Sequence, residues 1–398
     1  MKILAICSSL DLRQPYSCTP AWWQLLKAMA EIGVDISAVA YAGQTVESPW
    51  WKAYDNPCRL EGSAFATARR LVRQLPARRP ARRALQPSGE APESVADRLT
   101  RQLARCWVMP RWRAHLDGII RRDGPFDAVL VLTVPLNHLA GMPYHLRRRF
   151  GLPVFYYDGD LPASLPRFQG FQSGFRIYQG ADLTEYDGFI ANSKGGAEEL
   201  RAMGARNVHV LYYGADPGLF APQNVSHDID VFFYGHGAEY REGWIRDMLV
   251  APSERLPDLD FAMRGTGFGA SPGRVRALPY LSVAKLREYC CRSRLNLVIT
   301  RQTHASVYAS STSRPFELAA MGATMISNPY QGIEEWFEPG KEIVVVESQD
   351  EVVERYRWLI DHETERRAIG ERARRRLLAE HTFAHRARQL VSILQGAA

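Results

Sequence analysis

The sequence predicts an α/β protein of two domains, each built around a doubly wound parallel sheet. Three observations support this fold class. A chain of 398 residues is long enough for two or three domains with cores of their own. Short apolar runs typical of buried strands recur along the chain, with helical patterns between them. A turn-rich stretch without periodicity, YGADPGLFAP at 213–222, divides these runs into two series.

The first series begins with a strand over 2–8, a helix ending near Gly33 and a strand over 34–40. Thr19 suits the N-cap of that helix and Pro20 its first position, so a βαβ unit is expected. The remaining strands and the helix expected in this domain cover 127–133, 153–157, 188–191, 208–212 and 195–203.

The second series has the same alternation. Its expected strands cover 230–234, 260–264, 295–299, 324–327 and 342–346. The chain is strongly helical from Glu351 onward. We therefore predict an N-terminal domain over 1–215, a C-terminal domain over 216–380, and a last helix over 381–398 that can pack back on the N-terminal domain.

Composition narrows the class of partner. The net charge of +7 suits a nucleotide, a nucleic acid or an anionic membrane surface. Six cysteines show neither CxxC nor zinc-like spacing, so we expect free thiols in a reducing cytosol and a cytoplasmic protein. No run approaches the ~18–20 apolar residues of a transmembrane helix, and the short apolar start is interpreted as a strand rather than a signal peptide.

The stretch 66–122 is rich in arginine, with Arg-Arg pairs at 69–70, 78–79 and 82–83. Its portion 75–94 is also rich in proline, alanine and serine, which indicates a flexible excursion within the first domain. Two interpretations stay open: a solvated helical face with a loop, or a peripheral contact with an anionic membrane. Aromatic motifs typical of RNA binding are missing, so no nucleic acid is expected as partner.

The most informative stretch is SSTSRPFELAAMGA at 310–323. Hydroxyls of Ser311, Thr312 and Ser313 stand at the start of a predicted helix, where backbone donors bind anions. Arg314 adds a planar fork suited to a diphosphate. Glu317, one turn on, can accept hydrogen bonds from the vicinal hydroxyls of a ribose. The pattern therefore predicts a site for a nucleotide with a sugar attached.

Other loops converge on the same place. Ligands of open α/β sheets bind outside the carboxyl ends of strands, and Arg301 and His304 follow the predicted strand 295–299. Gly235 and His236 follow the first strand of the second series, and Arg241 lies a few residues further on. Glycine there lets backbone approach a phosphate, which the arginines can neutralise. Both histidines are expected to contact phosphate or acceptor, with an ordinary structural histidine as the alternative.

Asp158 and Asp160 follow the apolar strand 153–157. An Asp-x-Asp motif can hold Mn²⁺ or Mg²⁺ against a diphosphate, but turns also favour Asp and Gly. We expect no metal and give Asp158 a role facing the cleft, where it orients an acceptor or acts as a base. GxSxG is missing, and so is GxGxxG after the first strand, which argues against a serine hydrolase and a nicotinamide dehydrogenase.

Taken together, these residues resemble the GT-B glycosyltransferases, and within them the group-1-like transferases of the CgeB/YkvP spore-protein type. The donor-site helix of that family is similar to SRPFELAAMGA at 313–323, and NPYQGIEE at 328–335 with Trp336 and Phe337 continues the same block. The hinge segment is similar to 192–216 and 220–222. The resemblance covers about 125–395 and is specific over 290–345.

The resemblance implies two Rossmann-like domains facing across a cleft, with the donor bound mainly by the C-terminal one and the acceptor by the N-terminal one. It further implies that Glu317 contacts the donor ribose and that Arg314 and Gly235 lie near the diphosphate. One departure matters: many retaining members carry a glutamate eight residues before the ribose glutamate, where this chain has Ala309.

The function expected from residues and resemblance is transfer of a sugar from a nucleoside-diphosphate sugar to an unidentified acceptor, without metal or other cofactor. Asp158, His304 and Arg314 are the expected catalytic residues. Three alternatives stay open: an epimerase or phosphorylase on the same fold, a basic protein that binds nucleic acid or membrane, and a degenerate transferase kept as a binding module.

Overall fold

The computed structural model describes residues 1–11, 21–62, 98, 101–168, 177–238, 241–268, 272–279 and 282–396. Within these ranges the chain forms two sheets, and every strand pairing in both is parallel. The helix start predicted at Thr19-Pro20 and much of the arginine-rich stretch lie outside the described residues.

The N-terminal sheet has seven strands in the order β3-β2-β1-β4-β5-β6-β7. They are β1 (Lys2–Cys7), β2 (Asp35–Ala40), β3 (Lys52–Tyr54), β4 (Ala128–Leu132), β5 (Val154–Asp158), β6 (Gly188–Ala191) and β7 (Val208–Val210). The described helices between them are α1 (Ala21–Glu31), α2 (Met109–Asp123), α3 (Met142–Phe150) and α4 (Lys194–Ala202). A π-helical turn, Ala104–Val108, leads into α2, and single 3₁₀ turns cover Leu136–His138, Pro166–Phe168 and Leu183–Glu185.

The C-terminal sheet has six strands in the order β10-β9-β8-β11-β12-β13. They are β8 (Ile229–His236), β9 (Phe261–Thr266), β10 (Arg276–Ala277), β11 (Ser293–Val298), β12 (Met325–Ser327) and β13 (Val344–Val345). The helices are α5 (Glu242–Ile245), α6 (Ala251–Arg255), α7 (Val283–Arg292), α8 (Gln302–Ala305), α9 (Ser313–Ala320), α10 (Gln349–Asp361), α11 (Glu363–Glu380) and α12 (Phe383–Gln395). A π-helical turn, Arg246–Val250, joins α5 to α6, and a 3₁₀ turn covers Ile333–Glu335.

Local sequence explains several helix ends. Ser193, Ser282, Ser348 and Thr382 each accept, through the side-chain oxygen, the N–H three residues on, at the starts of α4, α7, α10 and α12. Helix α9 ends just before Gly322, whose φ of 70° is the left-handed conformation that glycine adopts readily. The central strands are buried on both faces, as covered parallel sheets require, whereas both residues of the edge strand β10 are exposed.

Both sheets wind in the same way. Counted within each domain, the strand order starts 3-2-1-4-5-6, so the chain reverses its winding direction between the first and fourth strands. These switch points lie between β1 and β4 and between β8 and β11. Ligands of doubly wound sheets bind at the carboxyl ends of such strand pairs.

The last helix returns to the first domain. Phe383 and Leu390 of α12 share a buried cluster with Leu25 and Met29 of α1. Ala215 pairs with Thr382 where the chain crosses between the domains. Over the described ranges, the helices are all too short or too polar to cross a membrane.

Candidate functional site

The C-terminal switch point is formed by the ends of β8 and β11 and by the first turn of α9. Arg314, in that turn, donates from Nη1 to the carbonyl oxygen of Ile299 at 3.0 Å, directly after β11. Its guanidinium also lies 4.9 Å from the ring centroid of Phe233 and 5.0 Å from that of Tyr234, both in β8. These contacts hold the arginine fork at the point where the topology predicts a ligand.

Gly235 makes room for this arginine. A Cβ atom at Gly235 would lie 2.5 Å from Nη2 of Arg314, and the φ of Gly235 is 151°. Burial lowers the pKa of Arg314 from its usual range. Its Nε has no hydrogen-bond acceptor among the described residues. Arg314 is therefore fixed on one side by protein and keeps donor capacity on the other.

Glu317 lies under this surface rather than on it. Its side chain has no solvent-exposed area, and its carboxylate accepts a hydrogen bond of 2.7 Å from the hydroxyl of Tyr234. Burial raises the pKa of Glu317 to about 7, against the opposing effects of the Tyr234 hydroxyl, Arg314 and Ser313. Contact with a ribose requires this region to open. The ribose role stays a prediction.

Arg301 connects the two domains. It stands just after β11, and its guanidinium forms an ion pair with Asp160, which follows β5 of the N-terminal domain. His304 Nε2 lies 3.3 Å from Nη2 of Arg301. Arginine can only donate, so this His304 nitrogen accepts and the ring proton belongs on Nδ1.

His304 is 1% exposed, and burial together with the charges of Arg301 and Arg241 holds its pKa well below the usual value. The ring is therefore neutral near neutral pH. In this geometry His304 positions Arg301. The catalytic role predicted for it requires substrate to reach a buried ring and stays untested.

His236 and Arg241 complete the basic side of the switch point. Arg241 donates to the carbonyl oxygen of His236 at 3.4 Å, and the His236 ring packs so closely on Gly267 that a Cβ there would lie 2.3 Å from the ring. The structure thus brings together the predicted residues Gly235, His236, Arg241, Arg301, His304 and Arg314.

Of the three predicted hydroxyl residues, Ser311 is held by hydrogen bonds within the protein. Ser311 is fully buried, and its Oγ donates to the Asn192 carbonyl oxygen at 2.9 Å and accepts from the Tyr213 amide at 3.0 Å. These bonds join α9 to the N-terminal domain. Thr312 and Ser313 lie on the partly exposed side of the helix start, and Thr312 makes no side-chain capping bond. Of the three, Ser311 is the least accessible to a donor.

Ala309 is part of the same joint. It is fully buried, has a left-handed φ of 48°, and accepts from the Lys194 amide at 3.2 Å. A Cβ atom at Gly332 would lie 2.4 Å from the Ala309 nitrogen. The position where many retaining members of the resembled family carry glutamate is therefore packed between the domains in this chain, with no exposed surface for a carboxylate.

Asp158 is also inaccessible. Its carboxylate accepts from the Ser164 hydroxyl and the Tyr178 hydroxyl, each at 2.5 Å, and from the Asp160 amide at 2.9 Å. Burial is the main cause that raises the pKa of Asp158 to about 6. In this conformation Asp158 organises the loop after β5, and the predicted roles as base or acceptor ligand require that loop to move.

The structure brings forward two residues that were not among the predicted site residues. Asp160, 36% exposed in its side chain, is the carboxylate of the Asp-Gly-Asp motif that faces Arg301. Tyr234 supports both Arg314 and Glu317. The motif itself pointed to Asp160, whereas Tyr234 reads as an ordinary strand residue and carried no separate signal.

Part of the sequence and the whole fold are similar to known proteins. Residues 241–392 match the model of a family described as glycosyl transferase-like. No curated protein sequence matches the chain. Among solved structures, sucrose-phosphate synthase from Thermosynechococcus elongatus has a TM-score of 0.66 and 14% identity, covering 99% of this chain and 98% of that chain.

Two further likenesses extend over whole chains. HepE of Anabaena, solved in complex with UDP, has a TM-score of 0.63 and 14% identity over 100% of both chains. The trehalose-6-phosphate synthase OtsA has a TM-score of 0.60 and 12% identity over 99% of both. The two parallel sheets and these likenesses establish the GT-B fold and confirm the predicted fold class, and the family match covers the C-terminal region.

Proposed function

We propose that this protein is a glycosyltransferase that moves a sugar from a nucleoside-diphosphate sugar to an acceptor. The observation that carries the proposal is the group of Arg314, Arg301 and Arg241 at the β8/β11 switch point. The family match over 241–392 supports sugar transfer. HepE, similar over its full length, was solved with UDP and with UDP-glucose, which favours a uridine nucleotide as the first donor to test.

The geometry supplies what this reaction needs. As the bond between sugar and diphosphate breaks, negative charge accumulates on the diphosphate while the sugar bonds to the acceptor oxygen, which releases its proton. Fixed guanidinium groups stabilise that charge without reorganising. Contacts between the domains, such as the Asn192 side-chain amide donating to the Ser311 carbonyl oxygen, hold the domains together and limit the entry of water.

We further propose that the reaction needs no metal. Asp158 and Asp160, the motif that suggested a metal, are held by Ser164, Tyr178 and Arg301. Treatment with EDTA should therefore leave transfer unchanged. Loss of transfer with EDTA and its return with Mn²⁺ would instead favour a metal at this motif. The CgeB/YkvP subtype stays a proposal carried by residues 313–337.

A thermal-shift screen with UDP-, GDP-, ADP- and dTDP-sugars tests donor binding, since a ligand that binds only the folded state raises the melting temperature. The donor that binds is then supplied with radiolabelled sugar and candidate acceptors. A labelled glycoside supports transfer, whereas an isomerised donor indicates an epimerase and a labelled sugar phosphate a phosphorylase. No shift with any nucleotide sugar would contradict the proposal.

A further inference from the structure

The outer surface of the α2–α3 layer combines large apolar side chains with arginines. Helices α2 and α3 cover the same face of the N-terminal sheet, because Trp112 and Leu116 of α2 share one buried cluster with Leu146 of α3. His145 and Arg149 of α3 also contact Asp117 of α2. The opposite sides of both helices form one broad outer face.

Apolar side chains are concentrated on and beside this face. Leu60, Leu103, Trp107 and Tyr144 are 80%, 62%, 53% and 55% exposed, and they are half of the eight large hydrophobic residues exposed in the described chain. Arg111 lies 4.6 Å from the Trp107 ring centroid and pairs with Glu61, the residue that follows Leu60. Such a grouping marks an interaction surface.

The segment that forms this face is rich in positive charge. Residues 98–122 contain seven arginines and one acidic residue, a net charge of +6, whereas the whole chain carries +7. Arg105, Arg111 and Arg121 are exposed on it. Helix α3 adds the run Arg147, Arg148 and Arg149 in its last turn.

We propose that this face binds an anionic membrane surface. Tryptophan, tyrosine and leucine enter the interface between headgroups and acyl chains, and arginines pair with lipid phosphates. A nucleic acid would satisfy the arginines, but two exposed leucines gain nothing from phosphates or base edges. A flat lipid surface also fits a face two helices wide.

The placement of this face relates it to the cleft. Ala104–Val108 packs against Leu136–His138, which follows the carboxyl end of β4. The carboxyl edge of that sheet faces the C-terminal domain, since Asp160 after β5 pairs with Arg301. Membrane binding therefore places the cleft beside lipid headgroups. If the proposed transfer holds, an acceptor anchored in the membrane is the substrate class this placement serves.

Flotation of the full chain with vesicles tests the proposal. The protein should float with vesicles of phosphatidylglycerol and phosphatidylcholine in equal parts, float far less with phosphatidylcholine alone, and dissociate as NaCl rises. The variant Leu103→Ala/Trp107→Ala should bind at least about tenfold more weakly. Its matched control is Trp358→Ala/Leu378→Ala, which removes one exposed tryptophan and one exposed leucine from the C-terminal helices. This control should bind like wild type.

Charge is tested by Arg105→Glu/Arg121→Glu, which should lower vesicle binding by about tenfold or more. The matched control Arg375→Glu/Arg388→Glu reverses two exposed arginines of α11 and α12 and should have little effect. Equal flotation with neutral vesicles, equal loss in test and control pairs, or binding to nucleic acid in place of vesicles would overturn the proposal. Thermal shift by the donor should be unchanged in every variant, which separates this result from the fate of the proposed reaction.

Discussion

The two sheets share one winding order and differ in chemistry at their carboxyl edges. The C-terminal edge carries Arg314, Arg301 and Arg241 around a glycine-lined strand end. The N-terminal edge carries Asp158, buried among hydroxyls, and Asp160, which faces the other domain. Topology therefore locates a cleft, and side chains give its walls opposite charge. An anionic donor is favoured on one wall only.

The largest test of this contrast is Arg314→Ala. The variant should lower kcat by roughly 10²- to 10³-fold, because the charge that develops on the leaving diphosphate loses a fixed partner. Arg314→Lys should recover little of it, since lysine lacks the fork that reaches Ile299 and stacks on Phe233. Turnover with the identified donor is the measurement, and far-UV circular dichroism checks the fold.

The matched control is Arg255→Ala, which removes an arginine of the same domain from an ion pair with Asp350. It should turn over at the wild-type rate. Full activity of a folded Arg314→Ala protein would contradict the proposal that the donor binds at the carboxyl edge of the C-terminal sheet.

On the N-terminal wall the comparison is between two carboxylates of one motif. Asp158→Ala should reduce the apparent free energy of unfolding by about 2–4 kcal/mol, because it leaves the buried hydroxyls of Ser164 and Tyr178 without their acceptor. Asp160→Ala should cost less than about 1 kcal/mol, since its ion pair is partly exposed. Urea unfolding measures both.

Asp158→Asn refines this test, because an amide oxygen can still accept from one hydroxyl and the loss should be smaller than for alanine. Equal stability losses at 158 and 160 would show that the burial of Asp158 does not distinguish the two positions. A loss of transfer with unchanged stability in Asp158→Asn would restore the catalytic role predicted from the sequence.

Much of the architecture could be predicted because buried parallel strands are apolar throughout. The run at 127–133 contains β4, the run at 295–299 overlaps β11, and both sheets have the expected direction. The edge strands β3 and β10 were missed. They have three and two residues, too few for any periodicity, and are defined by pairing with a neighbour rather than by their own composition.

The site was predictable as a set of residue types but not as contacts. Arg314 and Gly235 were each placed near a diphosphate, yet the reason for the glycine is the arginine itself, 79 positions along the chain and packed against it. Ser311 has the composition of a phosphate ligand, and its hydroxyl is used to join the domains. Sequence shows which groups are available, whereas packing decides which are exposed.

The buried carboxyl group of Glu317, on the C-terminal side of the cleft, should make stability depend on pH. Its pKa, raised to about 7 from 4.5, means that the folded state holds the proton more tightly than the unfolded state. Stability contributed by the protonated form is therefore present below pH 4.5 and lost as pH rises to about 7, by at most about 3 kcal/mol. Glu317→Gln should gain stability relative to wild type between pH 5 and pH 8.

Glu335→Gln is the control with the opposite sign. Lys194 is the first cause that lowers the pKa of Glu335, so its stabilising charge is already formed at pH 5 and the difference from wild type should stay nearly constant up to pH 8. Urea unfolding at both pH values gives the comparison. If the difference for Glu317→Gln were also constant between pH 5 and pH 8, the pKa of Glu317 would be the same in the folded and unfolded states, which would contradict the raised pKa.

The smallest expected effect concerns the ion pair between Arg301 and Asp160, which joins the two sides of the cleft. In the ligand-free protein Arg301 is paired with Asp160, so a diphosphate must compete with that carboxylate. Asp160→Asn should therefore strengthen UDP binding by about two- to fivefold, the range of a partly exposed ion pair. Glu335→Gln breaks another ion pair between the domains, Lys194 with Glu335, and leaves Arg301 untouched. Isothermal titration of UDP into both variants separates release of Arg301 from easier domain opening. Tighter UDP binding in Asp160→Asn alone would assign Arg301 to the donor site, and equal gains in both variants would indicate easier domain opening. No gain in either variant would contradict a contact of Arg301 with the diphosphate.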